Sequence, residues 1–219
     1  MLTYAVGDVH GCLTLLDDLL ARVATHAAGR PHRLVLLGDY IDRGPDSKGV
    51  VGRLRLLWRQ RGRDVVCLRG NHEDMLLQSA ADPAVQPGWL LNGGGSTLAS
   101  YGVQEAAEIP AADRDWMAGL PTFFEDDRRC FVHAGLNPDV PDRAAQSDED
   151  RLWIREPFLQ CERDFGRLVV HGHTPRHAGW PEVRRNRVNV DTAAVYGGRL
   201  TAAIFDDTAD TPRGFLQAR

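Results

Sequence analysis

Lysine is almost missing from this chain: Lys48 is the only one among 219 residues, so every other fixed positive side chain is arginine. That bias supplies fork-shaped cations suited to phosphate. Cysteine is scarce as well. Cys12, Cys67, Cys130 and Cys161 form no C-x-x-C pair, so neither a zinc ribbon nor a dithiol redox motif can be read. Cys67 and Cys130 lie in apolar, strand-like runs and are expected to be buried free thiols. No apolar stretch approaches the ~18 residues of a membrane span. Met1-Leu2-Thr3-Tyr4 enters a strand-like run without a basic leader, and a reducing cytoplasm is the expected compartment. Excess basic charge is absent too. The net charge of −4 disfavours general attraction to nucleic acid or to an acidic membrane surface. With no internal repeat or low-complexity segment, residues 1–219 are expected to form one domain.

The apolar pattern is regular in the first third of the chain. Leu2–Val6, Leu34–Leu37 and Val65–Leu68 read as short buried strands. Leu13–Ala28 carries apolar residues at helical spacing and stops at Gly29-Arg30-Pro31. Helices are also expected over Ser47–Arg61 and Glu73–Ala80. A β-α-β-α-β-α run implies a sheet with helices on its faces, and its ligands belong in the loops at the carboxyl ends of the strands. Further along, Gln86–Gly102 is too apolar for a tether and reads as an ordered loop near the site. Asp113–Gly119 suggests a short helix. Thr122–Glu125 and Arg129–Val132 flank Asp126-Asp127 as a hairpin. Asp139–Asp150 reads as a polar surface loop. Leu168–Val170, Val188–Val190 and Arg199–Phe205 read as strands, and the residues from Asp206 as a fraying tail.

Five islands carry the chemistry: Gly7-Asp8-Val9-His10-Gly11, Gly38-Asp39-Tyr40-Ile41-Asp42-Arg43-Gly44, Gly70-Asn71-His72-Glu73, His133-Ala134-Gly135 and Gly172-His173-Thr174-Pro175. Each sets an oxygen or imidazole donor beside a glycine, after an apolar run. Taken singly they have plain explanations. Asp8-x-His10 could be a turn with a surface histidine, Asp42-Arg43 a loop ion pair, and Asn71 a helix cap. Five together, each at a strand end, point to two Asp, one Asn and three His emptied into one volume. That donor set suits two divalent cations.

The islands resemble the phosphoprotein phosphatase family, whose signature GDxHG, GDxxDRG and GNHE stands unaltered at Gly7–Gly11, Gly38–Gly44 and Gly70–Glu73. Trp89–Gly95, Leu152–Glu156, Gly172–Pro175 and Asp191-Thr192 are similar in order and character to its bacteriophage lambda-type and bacterial branch. The resemblance implies an α/β, calcineurin-like metallophosphoesterase fold, a central β-sandwich of mixed sheets flanked by helices. It also implies a site. Asp8 and His10 would bind one metal ion, Asp39 would bridge two, and Asn71, His133 and His173 would complete the second. Mn²⁺ is the expected metal, with Fe or Zn as alternatives, and a hydroxide held between ions roughly 3.5–4 Å apart would attack phosphorus in line. His72 would be the general acid, oriented by Asp42. Arg43, Arg155 and Asn71 would bind the phosphate. His171 would be structural, and His26, His32 and His177 surface residues.

The expected activity is a metal-dependent phosphomonoesterase acting on phosphoserine or phosphothreonine of a protein or peptide, with phosphotyrosine a further substrate. One alternative is the related symmetrical dinucleoside-polyphosphate hydrolase, a branch whose second motif lacks the Asp42 equivalent and whose third reads GNHD. A more remote alternative is a non-catalytic module that binds metal or phosphoprotein. No nucleic-acid or membrane partner is expected, and the sequence names no regulatory partner.

Overall fold

Leu2–Val6 (β1), His32–Leu36 (β2) and Val65–Cys67 (β3) pair in parallel, in the order β1-β2-β3. They are joined by helices Leu13–Ala27 (α1) and Ser47–Arg61 (α2). This is a computed structural model that describes residues 1–219. Leu200–Phe205 (β9) and Gly214–Ala218 (β10) complete the sheet antiparallel on the other side of β1. A second five-stranded sheet consists of Phe123–Glu125 (β4), Arg129–Val132 (β5), Leu168–His171 (β6), Glu182–Val183 (β7) and Arg187–Asn189 (β8). Its strand order is β4-β5-β6-β8-β7. Its three middle strands, β5, β6 and β8, are parallel.

The two-residue period of the strands builds the layers. Tyr4, Val6, Leu34, Leu36, Ala202 and Ile204 face the helices. Their alternates Ala5, Val35, Ala203 and Phe205 meet Phe131, Leu168, Val170 and Val188 of the second sheet. Phe131 and Phe205 cross edge to face with ring centroids 6.2 Å apart. Burying each such side chain contributes about 1.5–3 kcal/mol. The outer face of the second sheet, at Cys130, Val132 and Val169, packs on Phe158 and Phe165. Strands buried on both faces explain why they read as apolar runs without alternation.

Several expectations need correction. Gln86–Tyr101 is helical with one kink rather than a loop: Gln86–Trp89 (α4), a wider turn at Leu90–Gly94, and Gly95–Tyr101 (α5). Within this stretch only Gly93 leaves helical geometry, with φ 103°. The residues after Asp206 do not fray, because β10 pairs with β9 along its whole length. The polar stretch ends in a helix, Asp148–Trp153 (α7), capped by Ser147, whose hydroxyl accepts from Asp150 N. The remaining helices, Asn71–Ala81 (α3) and Ala111–Ala118 (α6), lie where expected within a few residues. Cys67 and Cys130 are buried free thiols, as expected. No helix is long and apolar enough to cross a membrane.

Candidate metal centre

The carboxyl ends of parallel strands from both sheets converge. Asp8 follows β1, Asp39 follows β2, Asn71 follows β3, His133 follows β5 and His173 follows β6. All five side chains, with His10, are buried. The backbone here is contorted: His10, Asp39, Asp42, Arg43 and His173 all have φ between 45° and 72°. Left-handed backbone is uncommon for non-glycine residues, and its concentration at one place marks a site where geometry outranks backbone comfort. Close approach explains two of the glycines. A Cβ at Gly70 would stand 2.2 Å from Asp39 Oδ1, and one at Gly172 would stand 2.1 Å from Asp8 Oδ1.

The imidazoles are aimed. His10 Nδ1 donates to Ile41 O at 2.8 Å, and His133 Nδ1 to Leu37 O at 2.9 Å. Both Nε2 atoms therefore point at Asp39 Oδ2, 3.6 Å and 3.4 Å away. Asn71 Oδ1 sits 2.8 Å from His133 Nε2 and 3.0 Å from His173 Nδ1. Gly70, not Asn71, is the N-cap of α3, so the Asn71 amide faces the cluster instead of capping the helix. Two donor groups result: His10, Asp39 and His72 in one, and Asp39, His133 and His173 in the other, each with its donor atoms within 4.8 Å. Asp39 is common to both. Asp8 lies beside them, its oxygens accepting from His173 N at 3.1 Å.

The electrostatics describe a place built for cations. Burial, then Asp191 and Asp39, push the Asp8 carboxyl well above its usual range. Burial raises Glu73 to about 7 and Asp191 to about 6. Burial drives His10 down to about 3 and His173 to about 2, so both keep a lone pair free. His133 is buried as well, but the neighbouring Asp39 carboxylate holds it up to about 9. His173 Nε2 is buried without a hydrogen-bond partner. Packed carboxylates, the neutral His10 and His173 imidazoles and the orphaned His173 ring nitrogen fit divalent cations.

His72 differs from the other histidines. Its Nδ1 is 2.6 Å from Asp42 Oδ2, in a pair with almost no solvent exposure, and its Nε2 turns back to within 3.9 Å of Asp39. Arg43 Nη1 reaches His10 Nε2 at 2.6 Å, so the guanidinium stands over the cluster. Arg155 is exposed and reaches the site only as a charge, one of the influences that lower His173. His171 is buried behind the site, and Arg187 Nη1 lies 3.5 Å from its Nε2.

Sequence reading missed three supports. Glu73 accepts the N–H groups of Asp39, Tyr40 and Gly70, pinning the Asp39 loop to α3. Trp89 and Thr97 donate to Asp42. Glu73 stood inside the Gly70–Glu73 motif, two residues after Asn71, and that position was the available signal. Thr97 left no signal, because its partner lies 55 residues away.

A mixed-sheet sandwich with this donor cluster at its strand ends defines a metallophosphoesterase. The chain matches the calcineurin-like phosphoesterase family over residues 1–198 and belongs to it; the family holds a dinuclear divalent metal centre. It is 32% identical over 212 residues to serine/threonine-protein phosphatase 1 of Salmonella typhimurium, covering 91% of this chain and 90% of the relative. It is also 32% identical over 186 residues to the symmetrical bis(5'-nucleosyl)-tetraphosphatase of Dechloromonas aromatica, covering 83% of this chain and 59% of the relative. Among solved structures, a candidate diadenosine tetraphosphatase superposes with a TM-score of 0.71 at 25% identity, covering 100% of this chain and 94% of that one.

Proposed function

We propose that this hydrolase is a protein phosphatase that removes phosphate from phosphoserine and phosphothreonine, and also from phosphotyrosine. The observation that carries the reading is the buried His72–Asp42 contact at 2.6 Å. An alkyl phosphate leaves as an alkoxide, close in basicity to hydroxide, whose parent water ionises at about 15.7. Such a leaving group needs a proton delivered in the transition state. A polyphosphate leaves as a phosphate-terminated group, whose second ionisation lies near 6, and needs none. A dedicated proton donor is therefore wasted on dinucleotide cleavage and necessary for phosphoserine.

In this reading Asp8, His10, Asp39, Asn71, His133 and His173 hold two divalent cations, with Mn²⁺ proposed from the oxygen and imidazole donors. When bound, the cations supply Lewis acidity toward the phosphate oxygens and toward the attacking water. Asp39, common to both donor groups, is the side chain that would serve both cations. Arg43, beside His10, and Arg155, whose charge is felt at His173, are the cations proposed to take the phosphate oxygens. Asp42 holds His72 by Nδ1, so Nε2 delivers the proton to the leaving oxygen.

The chain spans 90% of the protein phosphatase relative and 89% of an asymmetrical bis(5'-nucleosyl)-tetraphosphatase, so length favours neither substrate. The second reading, dinucleoside-polyphosphate hydrolysis, is favoured by the likeness to the candidate diadenosine tetraphosphatase. The discriminating experiment compares kcat/KM for a phosphoserine peptide and for diadenosine tetraphosphate with Mn²⁺ present. The peptide is expected to be the better substrate, and much faster dinucleotide cleavage would reverse the assignment.

A further inference from the structure

The Asp42 carboxylate is saturated with donors that do not come from its own loop. Oδ2 accepts from Trp89 Nε1 at 2.7 Å as well as contacting His72 Nδ1. Oδ1 accepts from Thr97 Oγ1 at 2.6 Å. The Thr97 oxygen in turn accepts from Asp42 N at 2.9 Å, and the Ser47 hydroxyl lies 2.9 Å away. Asp42, His72, Trp89 and Thr97 are all buried. An indole N–H only donates and a hydroxyl carries one hydrogen, so these contacts fix which way the carboxylate lies.

The glycine run makes this arrangement possible. A Cβ at Gly94 would stand 2.4 Å from Trp89 Cε2, so only glycine leaves room for the indole. Gly93 O accepts from Arg43 N at 3.1 Å, tying the same segment to the Asp42-Arg43 turn. A Cβ at Gly93 would stand 2.7 Å from Arg43 Cγ. The stretch from Trp89 to Thr97 therefore closes over Asp42 from one side while α3 brings His72 from the other.

We infer that Trp89 and Thr97 are positioning residues for the proton-donating pair: they hold the Asp42 carboxylate at the angle that keeps His72 Nε2 on the leaving oxygen. The inference rests on the phosphomonoesterase reading above. It places the specificity for poor leaving groups partly in two residues outside both donor groups. No covalent step involves either residue; the proton moves only from His72 to the leaving oxygen.

The test is the dependence of rate on the leaving group. Trp89→Phe keeps the ring and removes the donor. It should lower kcat about tenfold on a phosphoserine peptide and about twofold on p-nitrophenyl phosphate, the larger value matching one lost hydrogen bond to a charged group. Thr97→Val should behave alike, and Thr97→Ser should restore the peptide rate. In an Asp42→Asn background, adding Trp89→Phe should change little, because the two act through one carboxylate. Equal losses on both substrates, or losses that simply multiply in the double variant, would overturn the role. Should Trp89→Phe fail to fold, the Thr97 pair decides. A wild-type enzyme that prefers diadenosine tetraphosphate to the peptide overturns the underlying reading instead, and is seen before any variant is made.

Discussion

Glu73 Oε2 accepts the backbone N–H of Asp39 at 2.9 Å, across 34 residues of sequence. The same oxygen accepts Gly70 N at 2.9 Å, and Oε1 accepts Tyr40 N at 2.7 Å. One buried carboxylate thus sets the distance between the loop after β2 and the start of α3. Glu73→Asp shortens the side chain by one methylene and strands at least one buried N–H, which costs about 1–3 kcal/mol. Metal affinity is expected to fall about 10- to 100-fold, as for other residues that orient ligands from behind. Calorimetric titration with Mn²⁺ measures it; unchanged affinity would show that the Asp39 loop holds its shape alone.

Asp39→Ala removes the one side chain common to both donor groups. Neither cation should then bind tightly, and activity should vanish. Metal analysis after gel filtration gives the answer: two retained ions would refute a bridging Asp39.

His72 is adjacent to Asn71 and its Nε2 is 3.9 Å from Asp39, so its role is separable only by experiment. His72→Ala is expected to lower kcat on a phosphoserine peptide about 10²- to 10⁴-fold, the range of general acid catalysis. Both ions should remain. Loss of one ion would make His72 a ligand instead of an acid.

Burial, followed by the Arg187 charge, lowers His171 from 6.5 to about 3. Below its ordinary value the unfolded chain takes up a proton that folded His171 refuses. Its contribution to stability is therefore complete above about pH 6.5 and is lost as pH falls toward 3. His171→Asn removes that dependence. In chelator, the slope of unfolding free energy against pH between about pH 6 and pH 4 should flatten by about 1.4 kcal/mol per unit relative to wild type. Equal slopes would mean the folded ring takes up its proton freely.

Much of the site was legible because its parts are short and local. Asp8 and His10, or Asp39 and Asp42, stand at fixed small spacings after apolar runs, and strand ends converge in any α/β sandwich. The supports were less legible, since hydrogen bonds such as Thr97 to Asp42 cross 55 residues and leave no spacing to read. The helical turns of Gln86–Tyr101, expected as an ordered loop, were illegible in the same way. Two glycines there serve for room: Gly94 lets an indole pass and Gly93 lets Arg43 approach.

By itself the sequence determined the donors, the order in which strands deliver them and the α/β class, because these follow from residue type and local periodicity. Tertiary structure decided what each donor faces. It made Asp39 common to two groups, turned the His10 and His133 rings by backbone carbonyls, paired β10 with β9 where a loose end was expected, and folded Gln86–Tyr101 over Asp42. Those outcomes depend on distances between segments far apart in the chain, which only the packed sheets and helices set.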